Sequence, residues 1–117
     1  MAMIWVGVVT RGDLGPAAAL FRSLGDPARL AIVRRLAVGE ARVVDLVAEL
    51  GLAQSTVSKH LACLRDCGLV ESRPAGRASM FWLAQPGLME VLSSAEAVLE
   101  ATGNAVALCP VYGDGCP

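Results

Sequence analysis

With 117 residues, 55% of them apolar, the chain is long enough to close one hydrophobic core and too short for two domains of ordinary size. A net charge of −1 excludes attachment to nucleic acid through bulk positive charge. The opening apolar run MAMIWVGVV is nine residues long, without a basic start or a clear cleavage site, and falls far short of the ~20 residues that a bilayer span needs. A cytoplasmic location with no membrane partner follows as the expectation, and in that reducing setting four cysteines point to metal or redox chemistry before disulfides.

In chain order, Pro16 opens a first helix with Ala17, Leu20, Phe21 and Leu24 on one stripe, closed by Gly25. Asp26 followed by Pro27 is an N-cap and first turn, and Leu30, Val33, Leu36 and Ala37 carry a second helix to Gly39. Val43, Leu46, Val47 and Leu50 predict a third, ending at Gly51, and a fourth begins about three residues later with Val57, Leu61 and Leu64 facing the core. Two helices joined by a tight glycine-containing turn form a helix-turn-helix. Gly68 stops the fourth helix. The runs Leu69 to Arg73 and Arg77 to Leu83, around Pro74-Ala75-Gly76, then predict a β-hairpin wing. Pro86 opens a last helix through Leu88, Val91, Leu92, Ala95, Val98 and Leu99, ending near Thr102-Gly103. The expected class is mainly α with a small β-hairpin wing. It divides into an extension at residues 1–13, a DNA-binding and dimerisation domain at 14–102 and a cysteine-containing tail at 103–117. The first and last helices are more apolar than a domain of this size needs, which predicts a homodimer through them.

Charge is unevenly spread. All ten Lys and Arg lie between Arg11 and Arg77, while residues 80–117 carry four acidic groups and no base. Such a split predicts a local basic face. The candidate DNA contacts are Gln54, Ser55, Thr56, Ser58, Lys59 and His60 on the fourth helix, where an amide, hydroxyls and a cation suit base edges and phosphates. Arg73 and Arg77 on the wing would meet the backbone or the minor groove.

Cys63 and Cys67 lie four apart on that same helix, so their Cβ atoms are about 5–6 Å apart, within range of one tetrahedral metal at ~2.3 Å per sulfur. On a helical wheel they sit about 240° and 280° from the core stripe, off the packing face. A third donor is required. Cys109 and Cys116 in the tail are candidates, with Cys109 favoured because it follows a short apolar run, and His60 is a further alternative. All-thiolate, low-coordinate sites select soft ions such as cadmium, lead, arsenite or mercury, whereas zinc usually wants four ligands. Beside metal sensing stand a constitutive DNA-binding module whose cysteines only pack, and two readings with thiol chemistry. One is a winged-helix regulator that senses oxidants through these thiols. The other is a thiol oxidoreductase, disfavoured because the spacing is not Cys-x-x-Cys and only one histidine is present.

The stretches LGDPARLAIVRRLAVGE and ELGLAQSTVSKHLACLRDCGLVESRPAGRASMFWLA resemble the ArsR/SmtB family of winged helix-turn-helix repressors, across roughly residues 17–102. That resemblance implies a homodimer through the first and last helices, not an enzyme, that binds operator double-stranded DNA and leaves it when a metal binds. The family's Cys-x-Cys site in the third helix is absent here, where Val43 and Val44 stand, and the last helix has no histidine for the family's other site. The segment LACLRDCGLV resembles the CmtR-type cadmium and lead sensors, which implies ligation by Cys63, Cys67 and Cys109, the last from the other subunit. Ala53 stands where the family often has a serine cap.

Overall fold

A computed structural model describes residues 11–108; Cys109 and Cys116 lie outside the described residues. After a 3-10 turn at Gly12–Leu14, helix α1 spans Gly15–Leu24, with Pro16 in the first turn where no amide proton is needed. Helix α2, Pro27–Val38, is capped by Asp26, whose carboxylate accepts the Ala28 and Arg29 N–H groups at 2.8 and 3.1 Å. Helix α3, Val43–Leu50, stops at Gly51, where the left-handed φ of 69° favours glycine. Helix α4, Gln54–Asp66, follows two residues later, completing the helix-turn-helix expected from the spacing.

The core is built where the apolar periods coincide. Val57, Leu61 and Leu64 of α4 are buried in one cluster with Ile32, Val33 and Leu36 of α2 and Leu46 of α3. Each is a large side chain withdrawn from water, a contribution of about 1.5–3 kcal/mol apiece.

The wing differs from the expectation in three ways. A two-residue strand β1, Ala41–Arg42, joins β2, Val70–Ala75, and β3, Ala78–Leu83, in an antiparallel sheet of order β1-β3-β2. Ala41 pairs with Phe81, which ties the sheet to the helical core. The hairpin turn is Gly76-Arg77, not Pro74-Ala75-Gly76; Pro74 lies within β2 opposite Ser79. Proline is tolerated there because β2 is an edge strand. Gly76 takes a φ of 68° while Arg77 does not have positive φ, the sign pattern of a II′ hairpin turn with glycine first.

Helix α5, Leu88–Ala101, starts two residues after Pro86, which instead forms a turn in which the Leu88 N–H donates to the Gln85 carbonyl. Only Leu88 and Leu92 of its stripe are fully buried. Residues 104–108 are not helical, yet Leu108 is buried in the core cluster and its N–H donates to the Glu96 carboxylate. Residues 102–107 are exposed, and among the described residues past α5 Leu108 alone is buried against the domain.

Helix α4 opens without help. Ala53 holds the extended N-cap conformation (φ −67°, ψ 148°), and no side chain accepts from the first-turn amides. Ala53→Ser is expected to stabilise the protein by ~1 kcal/mol and to raise the thermal midpoint by about 4–8 °C, as read in a melting curve. An unchanged midpoint would mean that Ser55 or Gln54 already serves these amides in solution.

Candidate nucleic-acid interface and metal centre

The leading half of α4 is the exposed half. Gln54, Ser55, Ser58 and Lys59 stand in solvent and Thr56 is half-buried beside Val57. Its uncapped first-turn N–H groups add a partial positive charge suited to a phosphate. Across from them, exposed Arg77 occupies the tip of the wing. Gln54, Arg77 and Arg42 line one cleft of 470 Å³ with Val43, Val47 and Phe81. The fold thus brings helix start and wing tip to one surface.

Arg73 and His60 are placed differently. The Arg73 guanidinium donates to both Glu40 carboxylate oxygens, at 2.7 and 3.0 Å, and lies 5.3 Å from the Trp82 ring centroid. The Glu40 carboxyl is held below its ordinary range chiefly by that hydrogen bond. Arg73 therefore links the wing to the segment between α2 and β1 through a solvent-exposed ion pair. The His60 side chain is only 14% exposed, with Nε2 3.8 Å from the Asp26 carboxylate and Nδ1 3.2 Å from the Arg29 guanidinium. A guanidinium can only donate, so Nδ1 accepts and Nε2 carries the proton facing Asp26. The ring turns toward the start of α2 and not outward with Ser58 and Lys59. Asp26 is itself held below the usual carboxylate range, first by the Arg29 N–H.

The thiols occupy the trailing end of α4. Cys63 is half-buried, and Cys67 is the C-cap residue, its N–H donating to the Cys63 carbonyl at 3.2 Å. Both are free thiols, and neither belongs to the core cluster, as the wheel predicts. The Cys67 sulfur lies 2.9 Å from the Ser23 hydroxyl of α1, a contact that spacing along the chain does not signal. Among the described residues no three histidine, cysteine or carboxylate side chains converge on one point, His60 included. Two thiols one turn apart suit a soft cation in donor chemistry and leave it short of a ligand. Arg29 was also outside the sequence reading. Its Nε donates to the Ser23 carbonyl at 2.6 Å, and a second nitrogen donates to the Arg22 carbonyl at 3.0 Å, so it clamps the end of α1 to α2.

Among the described residues no helix is long and apolar enough to cross a membrane. Residues 26–72 match the family described as bacterial regulatory protein, arsR family. The chain is 35% identical over 91 residues to the probable mercury resistance operon repressor of Streptomyces lividans, spanning 78% of this chain and 71% of that one. It is 44% identical over 75 residues to the HTH-type transcriptional regulator CmtR of Mycobacterium tuberculosis, spanning 64% of each. The NMR structure of the cadmium metal-sensor CMTR from Mycobacterium tuberculosis superposes with a TM-score of 0.56 at 43% identity, covering 66% of this chain and 80% of that one. The matched segment runs from the cap of α2 through the whole of α4 into the wing, the same elements that build the candidate interface, and the chain belongs to the arsR family of bacterial regulatory proteins, not to an enzyme family.

Proposed function

We propose that this protein is a metal-responsive transcriptional repressor. It binds operator DNA as a homodimer and is released when a soft thiophilic ion, cadmium or lead first and arsenite next, is taken up by Cys63, Cys67 and Cys109. The observation that carries the reading is the division of one helix: Gln54, Ser55, Ser58 and Lys59 are exposed at its leading end, and two free thiols lie one turn apart at its trailing end. A ligand gathered at one end of a rigid rod can bias how the other end sits in a groove. The names of the relatives from Streptomyces lividans and Mycobacterium tuberculosis, with mercury resistance for one and cadmium for the other, support a thiophilic ion.

In this proposal Gln54, Ser55, Thr56, Ser58 and Lys59 meet base edges and phosphates, and Arg77 reaches the backbone from the wing tip. His60 and Arg73 act indirectly, holding α4 and the wing in place. Cys63 and Cys67 supply two thiolates, and the tail beyond residue 103 delivers the third from Cys109. The bound ion supplies a positive centre that holds these thiolates together. Thiols lose their protons on ligation, so uptake releases protons.

The test is titration of the reduced full-length protein with cadmium chloride, followed by ultraviolet thiolate-to-metal charge-transfer absorption. One equivalent per protomer should saturate the band. Cys63→Ser, Cys67→Ser and Cys109→Ser should each weaken it, and Cys116→Ser should leave it unchanged. Absence of the band in the wild type overturns the metal assignment.

A further inference from the structure

Ser23 is the one buried polar side chain among the described residues, 4% exposed, and it sits where three helices meet. Its hydroxyl lies 2.9 Å from the Ala19 carbonyl oxygen and 2.9 Å from the Cys67 sulfur at the end of α4. Its own carbonyl accepts from Arg29 of α2, and Arg29 contacts His60 of α4 at 3.2 Å. The last turn of α1 is thus linked to α4 at both positions 60 and 67. Two residues before Ser23, Phe21 is 64% exposed and borders an apolar groove with Val91, Ala95 and Val98 of α5.

A serine hydroxyl has one proton. Here the proton goes to the Ala19 carbonyl, so in the contact with Cys67 the sulfur is the donor and Ser23 the acceptor. When Cys67 becomes a ligand its S–H bond breaks, the proton passes to solvent and a sulfur–metal bond forms, leaving the sulfur an acceptor only. The Ser23 hydroxyl must then turn from Ala19 to the sulfur or part from it. In both cases the contact between α1 and α4 is rebuilt: Cys67 is exposed but the Ser23 side chain is buried, and a buried hydroxyl left unsatisfied is costly.

We propose that Ser23 is the positioning residue that transmits occupation of Cys67 from α4 to α1, and so couples the thiol site to the face formed by α1 and α5. This rests on the metal-sensing reading above. Ser23 is not a ligand: it sets how strongly ligation at Cys67 is felt elsewhere. An allosteric effect of this kind requires a contact that differs between the two states, and the Ser23–Cys67 hydrogen bond is one whose donor and acceptor must exchange or separate.

The experiment compares wild type, Ser23→Ala and Ser23→Thr as full-length reduced proteins. Operator affinity is measured by fluorescence anisotropy with and without cadmium chloride, and the charge-transfer band is recorded in parallel. For Ser23→Ala the band and its stoichiometry stay those of the wild type, while the cadmium-induced loss of operator affinity shrinks at least fivefold. Ser23→Thr, which keeps the hydroxyl, restores most of the effect. Amide hydrogen exchange at residues 22–25 of the wild type changes on cadmium addition. An unaltered cadmium effect in Ser23→Ala overturns the proposal, as does a Ser23→Thr protein that behaves like Ser23→Ala. Should Ser23→Ala fold poorly, unchanged wild-type exchange at residues 22–25 overturns it equally. A wild type with no charge-transfer band sinks the metal reading itself, whereas a wild type that binds cadmium with Ser23 idle sinks only this inference.

Discussion

Replacing Cys63 and Cys67 together with serine is expected to leave metal-free operator affinity within about threefold of wild type and to abolish its response to cadmium. Allosteric coupling in regulatory proteins is typically a factor of 5–150, so the wild type should lose at least fivefold in affinity where the double variant loses none. The reason is distance along one helix. At 1.5 Å per residue, Cys67 lies about 20 Å of axis from Gln54 and about 12 Å from Lys59, and Cys63 lies about 6 Å beyond Lys59, so neither substitution replaces a side chain placed on DNA. Serine also keeps the hydrogen bond to Ser23 at position 67, which spares the α1–α4 junction in the metal-free state. Linkage gives a second readout: operator DNA must weaken cadmium binding by the same factor by which cadmium weakens operator binding. Anisotropy titrations in both orders check this equality. A wild type that releases DNA on peroxide treatment but not with cadmium would shift the same thiols to an oxidant-sensing role.

What sequence reasoning resolved and what it missed follow one physical division. Periodic burial is written locally, so Val57, Leu61 and Leu64 announce the inner face of α4, and the Asp26-Pro27 pair announces the start of α2. The two-residue strand β1 carries too few positions to show any period, and only its pairing with Met80 and Phe81 defines it. Pro74 misled because Pro-Ala-Gly is turn composition. The edge position of β2, which lets proline sit inside a strand, is a property of the sheet and not of the tripeptide. The contacts that sequence reading does not reach are those between side chains distant along the chain. Arg73 pairs with Glu40, 33 residues earlier, which spacing does not signal. His60 is turned inward by Asp26 and Arg29, and Ser23 meets Cys67 across 44 residues. Charge and spacing show what a side chain could bind; tertiary structure decides whether its partner is within the chain or beyond it.

Val98→Glu is the substitution expected to reduce operator binding most. Val98 is 63% exposed and Phe21 64%, and they border a largely apolar groove of 730 Å³ between α1 and α5, with Val91, Ala95 and Leu99 beside them. Large apolar side chains grouped on one open face mark a protein-binding surface. The match in chemistry is self-complementary, as a twofold interface demands: an apolar α1–α5 face can bury itself against its own copy. A glutamate at position 98 would have to enter that seam beside a second glutamate related by the twofold axis, in a helix that already carries Glu90, Glu96 and Glu100 and no base. The variant should run as a monomer in sedimentation velocity at micromolar concentration while keeping its circular dichroism, because an exposed side chain has little part in the domain's own core. Two linked reading units gain about 10²–10⁴ in avidity over one, so separating them should weaken operator binding by about 100-fold or more. The isolated half should still show the residual, strongly salt-dependent affinity of a single α4 and wing for DNA. If Val98→Glu stays dimeric, or becomes monomeric without loss of operator affinity, then this face is not what joins two reading helices at one site.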